Sequence, residues 1–179
     1  MKRQFLLTVA TVALIVVLIA TGCNRSRRSA RMTTIIILRH AERDDGSLSE
    51  AGWERADELA HVALKAGVTA IYTTDTERAR QTVQPLADLL NLDPLIYQAG
   101  DPDKIGEFAA RVRRDQRGQT ALIVSHNPTV PLIVDALGGD ATSCSIGDAY
   151  DEFDNLCLVT IDDLGIVKVV DLQYGRPSP

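Results

Sequence analysis

The chain contains three histidines, and two of them stand among side chains suited to binding an anion. Arg39-His40-Ala41-Glu42-Arg43 follows the apolar run Thr33 to Leu38, and Ser125-His126-Asn127-Pro128 closes a second run, Thr120 to Ser125. A third run, Thr69 to Thr73, passes through Thr74-Asp75 to Arg78. Guanidinium forks grip anionic oxygens, and an imidazole can donate, accept or attack. With Asp75 as N-cap, Arg78 is the third helical residue, where a cation opposes the positive end of the helix dipole. A bound anion reverses that penalty. Asn127 as N-cap and Pro128 as first helical residue place His126 beside free helix-start N–H groups, which also favour an anion. Taken singly, each of these residues reads as a surface or capping side chain. Jointly, Arg39, His40, Arg78 and His126 outline a pocket for a tetrahedral dianion. His61, on the polar side of a helix near Glu58 and Lys65, reads only as a surface residue.

Strands and helices must alternate to gather these residues. The run Thr33 to Leu38 has the length and unbroken apolarity of a central parallel strand. Ser49 opens a helix with Ala56, Leu59, Ala60 and Ala63 on one face, ending near Gly67. A second helix spans about Thr76 to Leu90, with Ala79, Val83, Leu86, Ala87 and Leu90 as its stripe and a kink expected at Pro85. Asp101-Pro102 opens a third, burying Ile105, Phe108, Ala109 and Val112. A fourth runs from Pro128 to about Leu137. Leu156 to Ile161 and Ile166 to Leu172 flank a turn at Asp162-Asp163-Leu164-Gly165, a hairpin pattern. The alternation implies a three-layer α/β/α sandwich with a mainly parallel, doubly wound sheet and a C-terminal hairpin. In such sheets ligands bind beyond the carboxyl ends of the strands, where the candidate residues fall.

Charge divides the chain unevenly. Residues 1 to 32 hold six basic side chains and no acid, and residues 33 to 179 hold 13 basic and 24 acidic. A domain of net −11 repels polyphosphate backbones, which argues against a nucleic-acid partner. Lys2 and Arg3 precede an uncharged apolar stretch, Phe5 to Ala20, in the layout of a signal peptide over residues 1–23. Ala20-Thr21-Gly22-Cys23 is similar to the lipidation box of bacterial lipoproteins, with Cys23 as the lipidated residue; an uncleaved anchor is the alternative. Either tethers the protein to a membrane, with localisation at the cell envelope and the domain exported in the lipoprotein case. Residues 24–32 read as a basic linker, 33–175 as the folded domain and 176–179 as a tail. An oxidising compartment would allow Cys144 and Cys157 to pair, although Cys157 in an apolar strand also has the pattern of a buried thiol.

These residues resemble the histidine phosphatase, or phosphoglycerate mutase-like, superfamily. Arg39-His40-Ala41 is similar to the family's Arg-His-Gly motif, Arg78-Ala79-Arg80-Gln81-Thr82 matches Arg-Ala-x-Gln-Thr, and His126 matches its second histidine. Leu48-Ser49-Glu50-Ala51-Gly52 resembles Leu-Thr-x-x-Gly. Four motifs in order cover roughly residues 33 to 175. The resemblance implies a metal-independent, cofactor-free phosphatase: His40 attacks phosphorus, and Arg39, Arg43, Arg78, His126 and Asn127 hold the phosphoryl oxygens. The implied substrate is a phosphorylated small molecule or phosphoprotein. A phosphoglycerate mutase-type isomerase and a non-catalytic, membrane-tethered phospho-ligand binding module are the alternatives. The chain is too short for a long lid insertion, so an open pocket is expected, which favours a phosphatase. The acid that protonates the leaving group is left unassigned, with Asp101 reading better as an N-cap and Glu42 as a further candidate.

Overall fold

Seven consecutive residues, Thr33–Arg39, form β1, and its unbroken apolar run reflects its place in the middle of a six-stranded sheet. The structure, a computed structural model, describes residues 31–146 and 151–178. The signal peptide expected over residues 1–23, with Cys23, and nearly all of the expected linker lie outside the described residues. No described helix is long and apolar enough to cross a membrane.

After β1 come a short hairpin of β2 (Arg43–Asp44) and β3 (Ser47–Leu48), then α1 (Glu50–Leu64) and β4 (Val68–Thr73). There follow α2 (Glu77–Leu90), β5 (Leu95–Ile96), α3 (Pro102–Asp115), β6 (Thr120–Ser125) and α4 (Thr129–Ala136). A 3-10 turn at Ala141–Ser143, β7 (Asn155–Ile161) and β8 (Val167–Gln173) complete the domain. The sheet order is β5-β4-β6-β1-β7-β8. β5, β4, β6 and β1 run parallel, whereas β7 pairs antiparallel with β1 and β8 with β7. Helices α1 and α2 pack together, as do α3 and α4. The architecture is the mainly parallel α/β sandwich with a terminal hairpin that strand and helix alternation implies.

The helix faces follow their periodicity. Ala56, Leu59, Ala60 and Ala63 of α1 are buried, as are Ala79, Val83, Leu86 and Ala87 of α2 and Ile105, Phe108, Ala109 and Val112 of α3. Ile35, Ile37 and Leu38 have no exposure at all, as a strand covered on both faces requires. Helix α2 runs through Pro85 to Leu90.

Two helix starts differ from the sequence reading, by the same cause. The Thr76 carbonyl accepts from the N–H groups of Ala79 and Arg80, so Thr76, not Asp75, caps α2 and Arg78 is its second residue. Asp75 instead holds the Arg80 guanidinium. Likewise, the His126 carbonyl accepts from Thr129 and Val130, and Pro128 already lies in the helical region (φ −70°, ψ −15°). The cap position falls to Pro128 rather than Asn127, and α4 winds directly onto the backbone of His126.

The cysteines pair. Cys144, after the 3-10 turn, is bonded to Cys157 on β7, so the buried position of Cys157 is that of half a disulfide, not of a free thiol. Residues 176–178, read from the sequence as a tail, are hydrogen-bonded into the domain: the Arg176 carbonyl accepts from Arg55, and the Ser178 hydroxyl bonds Asp154 and the Phe153 N–H.

Candidate active site

Parallel pairing brings the two histidines together. Arg39 of β1 lies opposite Ser125 of β6, and the His40 N–H donates to the Ser125 carbonyl at 3.0 Å. The two chains therefore leave the sheet side by side, each carrying its imidazole. Their ring centroids lie 5.4 Å apart at an interplanar angle of 64°. A single phosphoryl group can bridge such a gap. β4, on the other side of β6, ends at Thr73 and delivers Thr74, Asp75 and α2 to the same edge.

Hydrogen bonds assign the proton of His40. Its Nδ1 lies 2.8 Å from the Ala41 carbonyl, which can only accept, so Nδ1 carries the hydrogen. Nε2 then has the lone pair, and the Arg78 Nε–H donates to it at 2.9 Å. Burial first, then the charges of Arg78 and Arg39 and the neighbouring His126, lower the His40 pKa to about 3 against the partial opposition of the Ala41 carbonyl. Removal from water is the largest of these causes. Burial and the same two arginines lower His126 to about 4. Its Nε2 lies 3.0 Å from the Thr74 hydroxyl. Both rings are neutral at physiological pH.

Arg39, Arg43, Arg78, His40, His126 and Asn127 all line one cavity of about 1050 Å³. Arg39 and His40 are buried, and Arg43 is exposed at the rim on β2. Arg43 lies close enough to Arg78 for its charge, added to burial, to lower the Arg78 pKa. Three guanidinium groups thus crowd one opening, an arrangement that a bound dianion relieves. His61 is exposed on α1, away from the cavity lining.

Motif residues beside the site act as fasteners. Thr82 donates to the Arg78 carbonyl at 2.7 Å and accepts from the Ala41 N–H at 3.0 Å. Gln81 accepts from the Leu48 N–H at 2.7 Å. Together they clamp α2 to the segment following His40, which fixes Arg78 against the imidazole. Gly52 serves the same segment from α1: a Cβ there would lie 2.0 Å from the Glu42 carbonyl oxygen. Only glycine lets the helix start approach this closely.

The carboxylates weighed as proton donors are engaged elsewhere. Glu42 accepts from the Arg55 guanidinium at 2.6 to 2.9 Å in a largely buried ion pair. Asp101 accepts from the Asp103 N–H at 2.9 Å as the N-cap of α3. Asp75 pairs with Arg80. Each is thus already engaged by a donor within the protein. As for metals, Cys144, Cys157 and Asp171 hold ligand-type atoms within 4.8 Å of one another, but the disulfide consumes both sulfurs.

Sequence reasoning missed two residues. Phe153 places its ring 3.9 Å beneath the Arg39 guanidinium and 6.3 Å from His40, and the Glu152 carbonyl accepts from Arg39 at 3.3 Å. Arg55 is 4% exposed and also donates to the Tyr174 and Arg176 carbonyls, tying α1 to the C-terminal segment. Neither residue lies in a motif or shows in periodicity: Phe153 meets Arg39 only after β7 has docked on β1, and Arg55 meets the Tyr174 and Arg176 carbonyls only once the C-terminal segment has folded back on α1.

A family profile described as the histidine phosphatase superfamily (branch 1) matches residues 35–99, which carry Arg39, His40, Arg43 and Arg78. Over these residues the chain is similar to the histidine phosphatase superfamily. No curated protein matches the chain. Among solved structures, a mycobacterial glucosyl-3-phosphoglycerate phosphatase superposes with a TM-score of 0.64 at 15% identity, covering 81% of this chain and 100% of that one. A protein assigned as the phosphohistidine phosphatase SixA of Agrobacterium tumefaciens gives 0.56 at 20% identity, with 80% and 98% covered. A phosphoglycerate mutase from Plasmodium falciparum gives 0.59 at 17% identity, with 82% and 94% covered. At these identities the likeness concerns the fold alone.

Proposed function

We propose that the protein is a phosphatase that works through a phosphohistidine on His40. The observation that carries this reading is the state of His40: a neutral ring with its proton on Nδ1, its Nε2 lone pair turned toward Arg78, and His126 beside it. The Nε2 lone pair attacks phosphorus and forms an N–P bond as the bond from phosphorus to the leaving group breaks, its electron pair departing with that group. Arg78 exchanges its contact with Nε2 for a phosphoryl oxygen. Arg39, Arg43, His126 and Asn127 hold the remaining oxygens as charge builds on them. Water then attacks phosphorus, the N–P bond breaks and His40 regains its lone pair.

With Glu42, Asp75 and Asp101 engaged, this reading favours leaving groups that depart without a carboxylic acid, such as a phosphorylated nitrogen or a phenol. Substrates of this kind include phosphohistidine and phosphotyrosine in proteins, small aryl phosphates and phosphoramidates. An envelope location, tethered by the leader, accords with the Cys144–Cys157 disulfide, because such bonds persist in oxidising compartments.

The test is His40→Ala assayed with an aryl phosphate in the presence of EDTA. Turnover should fall by at least a thousandfold, and the wild type alone should retain acid-labile radioactive phosphate after quenching. Undiminished hydrolysis by the variant would overturn the proposal. Interconversion of phosphoglycerates at a rate exceeding hydrolysis would move the reading to a mutase.

A further inference from the structure

Besides the phosphate-binding residues, the cavity lining holds neutral polar side chains, Thr74, Thr76, Gln98 and Thr129, and a set of apolar ones. Its cationic side chains are Arg39, Arg43 and Arg78, already committed to the anion, and among the described lining residues there is no other lysine or arginine. The remainder includes Ile96, at the end of β5, together with Pro102, Ile105 and Leu132. Ile96 and Leu132 are 42% and 44% exposed, large apolar side chains presented to solvent within a concave site. The acidic lining groups are Asp75, which pairs with Arg80, and Asp101, which caps the α3 N-terminus.

We infer that the group carried on the phosphate is uncharged and apolar, and that it seats against Ile96 and Leu132. The inference rests on the phosphatase reading and deepens it by naming the substrate class. A second phosphate or a carboxylate on the leaving group would find no free cation there and would face two carboxylates. An apolar group would instead cover exposed hydrocarbon, which is favourable in proportion to the area removed from water. The subsite is continuous with the phosphate pocket, so one molecule fills both.

The experiment uses the full chain and two esters whose phenols have closely matched acidity, 4-butylphenyl phosphate and 4-(carboxymethyl)phenyl phosphate. Intrinsic reactivity then cancels, and the ratio of kcat/KM reads the subsite. The butyl ester should be preferred by at least tenfold, and the double variant Ile96→Asn with Leu132→Asn should reduce that ratio to threefold or less. Parity in the wild type, preference for the carboxymethyl ester, or an unchanged ratio in a variant of wild-type melting temperature would overturn the inference. If neither ester is hydrolysed, the phosphatase reading fails by itself. The corresponding benzylphosphonates, measured by calorimetry, then test the subsite through binding: a tenfold preference for the butyl compound supports it and parity overturns it.

Discussion

His40 is held neutral by its surroundings, and that has a cost on the acid side. Its pKa falls from 6.5 in the unfolded chain to about 3 in the fold, and that of His126 to about 4. Between those values and pH 6.5 the unfolded state binds protons that the native state refuses, so stability falls as pH falls through this window and is untouched above it. The melting temperature should therefore drop more steeply from pH 7 to 4.5 in the wild type than in a His40→Gln, His126→Gln double variant. Identical slopes would show that the rings titrate normally. Phe153 offers a second test at this scale. Its ring supports the Arg39 guanidinium at 3.9 Å, and a desolvated contact of this kind contributes up to about 2 kcal/mol. Phe153→Ala should raise KM about threefold to tenfold with a smaller change in kcat, and Phe153→Tyr should restore it. Steady-state kinetics on a common aryl phosphate distinguish this from a loss of kcat alone.

Among elements, the helix faces and most of the strands were legible in the sequence because burial repeats with the period of the element itself. Ile105, Phe108, Ala109 and Val112 recur at helical spacing and are buried together. Cap positions were less legible. Asp75 and Asn127 have the right chemistry for an N-cap, yet Arg80 draws off Asp75, and the carbonyl of His126 starts the turn preceding α4. A cap is decided by competition among neighbouring acceptors, and residue type states only the candidates. The α1 start makes a testable case. Gly52→Ala drives a methyl group against the Glu42 carbonyl, so α1 must retreat from the segment after His40. Overpacking of this type costs about 1 to 3 kcal/mol. A lower denaturation midpoint with weaker phosphate binding is expected, read by chemical unfolding and inhibition by inorganic phosphate. Unchanged values for both would mean that the close approach is dispensable.

For the whole molecule, the Cys144–Cys157 bond closes a segment with a sequence separation of 13 that includes Glu152 and Phe153. Constraining a loop of this size stabilises by about 3 kcal/mol. Equilibrium unfolding in guanidinium should show a lower midpoint with reductant present than without it, since the unfolded chain is then free of the link. Coincident curves would remove the disulfide from the stability of this fold. Local chemistry in the sequence by itself determined the strand and helix alternation, the charge contrast between residues 1–32 and the rest of the chain, and the identity of the residues able to hold an anion. These properties depend on neighbours within a few positions, so they can be read in order along the chain. Tertiary structure alone decided that β6 inserts between β4 and β1, which sets His126 beside His40. It also decided that β7 brings Phe153 beneath Arg39 and that Ile96 and Leu132 share a cavity with the arginines. Those contacts join residues remote in sequence, and their energies come from burial and pairing that exist only once the sheet has assembled.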